Sequence, residues 1–321
     1  VNLAGLDLNL LVSLDALLQQ RSVTRAAAQM GLSQPALSAS LARLRRHFDD
    51  ELLSRVGNEY RLTPLATQLE GLARVALSGV ERVFSAQPQF DPASSTREFS
   101  LLVSDYGVAV FGDSIAALMS EEAPGTRLRF AANTPQMVDR ADQVLLTTDL
   151  LVLPHGFVSD LPHLDLYRDA WVCIVSADNT EVGNELTVTH LESLPWVVTY
   201  NGPTASTPAV RQMRMRGIEP RVQVVTENFL TVPGLVTGTD RVALLQRRLV
   251  DLLPLNTGIR TLPAPFEAGT LVEAMWWHPV YQHDPEHVWL RDVVRRATAL
   301  ATGDPTAAPV LDAVNGRPQE K

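Results

Sequence analysis

The chain has 321 residues, enough for two or three domains with cores of their own. Its formal net charge is −9, and its single cysteine excludes an intrachain disulfide. No apolar run is long enough to span a bilayer, and no charged leader followed by an apolar stretch opens the chain, so a soluble cytoplasmic protein is expected.

The charge is unevenly spread. Residues 1–84 carry nine arginines against eight acidic residues, so the acidic surplus lies in the rest of the chain. That distribution leaves the N-terminal segment free to approach phosphate. It is only weakly basic, so tight DNA binding is expected to need paired copies and to fall with salt.

Residues 22–48, SVTRAAAQMGLSQPALSASLARLRRHF, predict two short helices joined by a tight turn. Ser22 or Thr24 can cap the first helix. Ala26, Ala27 and Ala28 allow close helix approach, and Gly31 ends the helix. Ser33 is the next N-cap, with Pro35 in the first turn, where its missing N–H does no harm. Leu37, Leu41, Leu44 and Phe48 recur at helical spacing and should face a core. Gln34, Pro35, Ser38, Ala39, Ala42, Arg43, Arg45 and Arg46 share the other face. Glutamine and serine can bond to base edges, Pro35 or Ala39 can touch a thymine methyl, and the arginines further along suit phosphates. Periodicity alone fits an ordinary helical hairpin equally well. The capped Ser-Gln-Pro-Ala entry and the arginine-rich end favour DNA.

On these residues the segment 6–64 resembles the DNA-binding region of the LysR-type transcriptional regulators. The resemblance is carried by Leu6-Asp7-Leu8-Asn9-Leu10-Leu11, the alanine run, Gly31-Leu32-Ser33-Gln34-Pro35-Ala36, Ser38, Leu44-Arg45 and Leu62-Thr63-Pro64. It is closest to the branch of nodulation and salicylate-type aromatic-acid regulators. The resemblance implies that Gln34, Pro35 and Ser38 meet bases. Many members carry arginine where this chain has Ala39, which removes one base or phosphate contact. Thr24, Ala39, Arg43, Arg46 and Arg55 complete the candidate DNA-binding set.

A Gly57-Asn58 turn between short extended runs predicts a hairpin, the wing, with Arg55 and Arg61 as candidates for phosphate or minor-groove contact. From Pro64 a helix follows, with Leu65, Leu69, Leu72, Ala76, Gly79 and Val83 in alternating steps of four and three. After a winged helix–turn–helix this is read as a dimerising linker helix; a helix docked on its own domain is the alternative. Residues 85–97 are rich in Pro, Ser and Gln and predict a hinge. Domain bounds are therefore set at 1–64, 65–97 and 98–301, with a disordered tail at 302–321.

Residues 98–300 alternate strands and helices. Strands are expected near 99–103, 128–131, 149–153, 171–176, 196–199, 222–226, 242–245 and 271–277, and a helix from about Val108 to Ala123. This predicts a mostly parallel, doubly wound architecture, and the fold class is α+β multi-domain. The resemblance implies a two-lobed, periplasmic-binding-protein-like effector domain, with lobe one at 98–168 plus 265–301 and lobe two at 169–264. A cleft between such lobes suits a small anion. Ser104, Thr204 and backbone amides are candidates to hold a carboxylate, and Tyr106, Tyr200 and Phe229 to flank an aromatic ring. His155 is a further cleft candidate. Asp105 fits an anion badly, and instead turns away, caps a helix or marks a polar ligand. The effector expected is an aromatic or carboxylate compound.

Cys173 lies in an apolar run and reads as core. His278, His283 and His287 sit near Asp284 and Glu286, and the i,i+4 pair is a metal spacing. Asp284-Pro285 nevertheless reads as a helix N-cap with proline at the first helical position, which leaves His283 outside the helix. No metal and no cofactor are expected. No nucleophile elbow, phosphate loop or His-Glu-x-x-His is present, so an enzyme has no residues to rest on. The leading reading is a bacterial regulator acting on a double-stranded operator as a homodimer or homotetramer, with RNA polymerase as a further partner. A solute-binding protein or enzyme with a helical appendage, and a repressor that needs no ligand, are the competing readings.

Overall fold

The computed structural model describes residues 7–303, apart from 57–58, 86–89, 201 and 203–205. The predicted tail from residue 304 onward and the tip of the wing lie outside the described residues. The chain divides into two compact units, 1–88 and 89–321.

In the first unit, α1 (Leu8–Gln20), α2 (Val23–Gln29) and α3 (Gln34–Phe48) surround a core of Leu14, Leu17, Leu18, Ala26, Leu37, Leu41 and Leu44. Each helix starts on a side-chain cap: Asp7, Ser22 and Ser33 accept from the backbone N–H groups of Asn9, Arg25 and Ala36. Ser22, not Thr24, caps α2. Gly31 has φ +64, the left-handed turn that lets α3 leave α2 at an angle. Strands β1 (Leu53–Val56) and β2 (Glu59–Leu62) pair antiparallel as the wing, with Leu53 opposite Leu62. Thr63 caps α4 (Pro64–Ser85) by accepting from Ala66 N–H. Ala66 and Ala73 are buried against the first unit's core, which also takes Leu69. Leu72, Val83 and Phe84 are 65%, 72% and 82% exposed. The stripe thus divides: its first turns dock on their own unit, and its later apolar residues face outward.

The second unit opens with β3 (Glu98–Leu102). Ser104 then caps a helix that runs without a break from α5 (Asp105–Gly107) through a π segment (Val108–Gly112) into α6 (Asp113–Glu122). It starts three residues before the predicted Val108, because the Ser104 hydroxyl accepts from Gly107 N–H. There follow β4 (Arg127–Ala131), α7 (Pro135–Val138), α8 (Ala141–Val144), β5 (Leu150–Pro154) and the long β6 (His163–Ser176). Next come α9 (Val188–Ser193), β7 (Pro195–Thr199), α10 (Pro208–Met215), β8 (Arg221–Thr226), α11 (Val232–Val236), β9 (Val242–Gln246) and α12 (Arg247–Leu252). The chain closes with β10 (Ile259–Leu262), β11 (Thr270–Trp276) and α13 (Pro285–Thr302).

The sheet order is β4-β3-β5-β11-β6-β9-β7-β8, with β10 also on β6. The expectation of a mostly parallel sheet is corrected here. β3–β4, β3–β5, β7–β8 and β7–β9 are parallel, but β5–β11, β11–β6, β6–β9 and β6–β10 are antiparallel. β6 and β11 carry the chain out of lobe one and back, so they run against their neighbours. Hydropathy alternation carries no strand direction, so this was invisible in sequence. β6 belongs to both lobes: His163 to Ala170 pair with β11, and Trp171 to Val175 pair with β9. β10 is not among the strands expected from sequence.

Cys173 is buried in the core, and burial pushes its thiol up to about 12, which keeps it an inert packing residue. The C-terminal histidines do not converge. His287 is buried, with Nε2 2.8 Å from the Asp149 carbonyl oxygen and Nδ1 2.9 Å from the Arg291 guanidinium. Burial lowers its pKa to about 4, so the ring is a neutral structural link.

Candidate functional sites

The first site is the outer face of α3. Leu37, Leu41 and Leu44 point inward, so 3.6-residue geometry puts Gln34, Pro35, Ser38, Ala39, Ala42, Arg43 and Arg46 outward, and all seven are exposed. Gln34 and Ser38 lie one helical turn apart near the N-terminus, the end that reaches base edges when such a helix enters a major groove. Arg43 pairs with Asp7 at 3.2 Å. An exposed pair of this kind contributes little, so phosphate can replace the carboxylate. Asp7 is held below the usual carboxylate range, first by the Asn9 backbone N–H and then by Arg43.

Arg45 has a different task from its neighbours. Its Nε donates to the Glu51 carbonyl at 2.9 Å and its Nη2 to the Leu53 carbonyl at 3.2 Å, which ties the end of α3 to the wing. Thr24 is exposed in the first turn of α2, and Arg55 is exposed on β1. Sequence reasoning missed a concave surface between the start of α2 and the wing, lined by Arg21, Ser22, Arg25, Tyr60 and Arg61 together with Glu59 and Glu70. Three arginines and a tyrosine converge there. Arg61 is a candidate from sequence; Arg21, Arg25 and Tyr60 are not, because the packing of the start of α2 beside β2, not sequence spacing, gathers them around it.

The second site is a cavity in the second unit. Its wall includes Ser104, Asn133, Thr134, Val152, Phe157, Trp171, Tyr200, Thr207, Phe229, Gln246, Leu271 and Glu273. Of the predicted residues, Ser104, Tyr200 and Phe229 line it together. Tyr200 adopts φ +61, a strained conformation for a residue with a side chain, and donates its N–H to the Thr226 carbonyl. Burial, followed by Asp105 and Glu227, pushes its phenol up to about 12, so it stays a neutral donor.

The other candidates are placed elsewhere. Tyr106 is fully buried and donates its hydroxyl to Asp169 at 2.6 Å, so it is not a cavity wall. Its hydroxyl needs a partner once buried, and Asp169 supplies it. Asp105 turns to lobe two, where its carboxylate accepts from Phe229 N–H at 3.0 Å and Leu230 N–H at 2.9 Å. His155 lies outside the cavity, 2.6 Å from Asp165. Thr204 lies outside the described residues.

The floor of the cavity was missed in sequence. Trp171 and Gln246 are register partners across β6 and β9. Both are buried, and Trp171 Nε1 and Gln246 Oε1 have no hydrogen-bond partner among the described residues. Glu273 sits at a bulge between β11 and β6 and is 5% exposed. Burial, and then Asp169, raise its pKa to about 8, so it is a neutral acid at pH 7. A buried acidic residue inside the otherwise apolar 271–276 strand was the available signal. Among the described lining residues there is no Arg, Lys or His. Three helix starts, capped by Ser104, Thr134 and Thr207, also face the space.

Glu273 predicts a pH effect. Its folded pKa of about 8 lies above the unfolded value near 4.5. The folded state therefore holds the proton over that window, and stability falls as pH rises from about 5 to 8. Glu273→Gln should remove this contribution and raise thermal stability more at pH 8 than at pH 5. Parallel melting curves with an unchanged pH 5-to-8 difference would contradict the assignment.

A helix–turn–helix joined to a unit with a polar-floored cavity defines a ligand-responsive DNA-binding protein. Comparison with known proteins makes this specific: the bacterial regulatory helix–turn–helix protein, lysR family, matches residues 8–67, and the LysR substrate binding domain matches residues 93–299. The chain belongs to the LysR family of transcriptional regulators. Nodulation protein D 2 of Rhizobium tropici is 33% identical over 301 residues, covering 92% of this chain and 94% of that protein. Nodulation protein D 2 of Bradyrhizobium diazoefficiens is 35% identical over 306 residues, covering 93% and 91%. A probable transcriptional regulator from Pseudomonas aeruginosa has the same fold, with TM-score 0.67 and 26% identity over 91% of this chain and 97% of that one. CbnR complexed with its target DNA matches with TM-score 0.63 and 14% identity over 91% of this chain and all of that one (100%), a likeness of fold alone. The relatives are regulators, not enzymes. No helix among the described residues is long and apolar enough to cross a membrane.

Proposed function

We propose that this chain is a cytoplasmic, sequence-specific regulator that binds its operator as paired copies and responds to a hydroxylated aromatic compound in the second-unit cavity. Gln34 and Ser38 read bases, while Arg43, Arg46 and the Arg21–Arg25–Arg61 surface hold phosphates. The outward Leu72, Val83 and Phe84 on α4 support pairing of copies, with a tetramer as the larger assembly. RNA polymerase is the further partner through which transcription changes.

The observation that carries the ligand class is the cavity floor: Trp171 Nε1–H, Gln246 Oε1 and neutral Glu273, with no cationic side chain among the described lining residues. An aromatic body fits between Tyr200, Phe229 and Leu271. A ligand hydroxyl can donate to Gln246 Oε1 and accept from the protonated Glu273, and a ligand oxygen can accept from Trp171 Nε1–H. A free carboxylate would find helix N-termini but no counter-charge among the described lining residues, so of the aromatic or carboxylate compounds expected from sequence a hydroxylated ring is favoured.

The test is a thermal-shift screen of the full chain against hydroxylated aromatics and aromatic carboxylates, followed by gel shift on the DNA upstream of its own gene. Hydroxylated rings should raise the melting temperature and alter the shifted complex. A response confined to carboxylates would overturn the ligand class. Absence of sequence preference in the gel shift would overturn the regulator reading.

A further inference from the structure

We propose that His155, His163 and Asp165 form a binding site for a divalent transition-metal ion such as Zn2+ on the rim of lobe one. Each offers one ligand atom, and the three atoms lie within 4.8 Å of one another. The topology makes this cluster. His163 and Asp165 are two residues apart at the start of β6, so they share one face of the strand. His155 directly follows β5, and β11 lies between β5 and β6. The two imidazoles meet edge to face with centroids 5.0 Å apart.

The surroundings orient the ligands. His163 leans on Trp276 at 4.4 Å, and Trp276 is fixed by donating Nε1–H to the Leu153 carbonyl at 2.8 Å. His163 Nδ1 lies 3.3 Å from the Leu161 carbonyl, which fits Nδ1 as the protonated nitrogen and leaves the Nε2 lone pair for a metal. A ligating histidine very often has a backbone carbonyl in that place. Two imidazoles and a carboxylate are an open three-ligand set that suits zinc, nickel or copper and leaves a position for water.

Ligand atoms at about 2.1 Å from one ion lie roughly 3.4 Å apart. The 2.6 Å bond between His155 Nε2 and Asp165 must therefore open, and separations that reach as far as 4.8 Å must close toward that value. The His155 and Asp165 side chains are 41% and 42% exposed, so both can turn without unpacking a core. The ion would clamp the turn after β5. Pro154 and Phe157 of that turn line the cavity. The Gly156 carbonyl accepts from Arg211 of lobe two, whose guanidinium lies 4.3 Å from the Phe157 ring. Metal binding would thus stiffen the cavity wall where the lobes touch.

The experiment is calorimetric titration of untagged, chelator-treated full chain with zinc chloride and nickel chloride. The expected result is one ion per chain with micromolar affinity, weakened about tenfold or more in both His163→Ala and Asp165→Asn. His283→Ala, at an exposed histidine far along the sequence, should bind as the parent does. X-ray absorption at the zinc edge should then show two imidazole ligands. Absence of saturable binding in the parent, equal affinity in His163→Ala and Asp165→Asn, or an equal loss in His283→Ala would each overturn the site.

Discussion

Gln34→Ala should lower affinity for the operator by roughly 10- to 100-fold per half-site while leaving binding to unrelated DNA nearly unchanged. Gln34 is exposed at the first turn of α3, and its amide has no competing hydrogen bond among the described residues. A glutamine that donates to one base atom and accepts from another contributes about 1–3 kcal/mol of discrimination. Two copies on a two-fold site place the loss in both half-sites. Ser38→Ala should act the same way but less strongly, since a hydroxyl makes single bonds. Arg46→Ala should differ in kind, weakening all sequences alike and reducing the salt dependence by about one counterion per half-site. Gel shifts on operator and scrambled DNA across a salt series separate the two patterns. If Gln34→Ala and Ser38→Ala keep full operator preference, α3 does not read bases.

Asp105→Ala should lower the melting temperature of the second unit by roughly 5–10 °C. Its carboxylate takes two N–H groups of lobe two, those of Phe229 and Leu230, and also the N–H of Tyr106. Hydrogen bonds to a charged acceptor are the stronger kind, and removing the acceptor strands the donors, a cost of about 2–3 kcal/mol. Phe229 is also a wall of the cavity, so effector affinity should fall with stability. Asp105→Asn keeps one acceptor oxygen and should recover about half of the loss. Melting curves for both variants within a degree of the parent would show that this bridge between the lobes carries no weight.

These cases show what each level of description reaches. Gln34, Ser38 and the leucines behind them are local: capping, proline position and a 3.6-residue period assign inside and outside within one helix. Asp105 is a poor neighbour for an anion on its chemistry, but the lobe-two N–H groups its carboxylate accepts from lie 124 and 125 residues away. Tyr106 looked like a cleft aromatic because it follows a strand, and only the packing of Tyr167 and Asp169 around it makes it core. The Trp171–Gln246–Glu273 floor is built from three strands and depends on a bulge, which no single stretch of chain encodes legibly.

By itself, then, the sequence determined the helix–turn–helix, its capped and outward-facing polar surface, the helix from Pro64, and an α/β unit after it. Those features rest on interactions a few residues apart, where composition and period act directly. Tertiary structure alone decided the mixed strand directions, the neutral polar floor of the cavity, the Asp105 bridge and the grouping of His155 with His163 and Asp165. All four depend on strands distant in sequence lying side by side, and pairing of that kind is settled by the whole core.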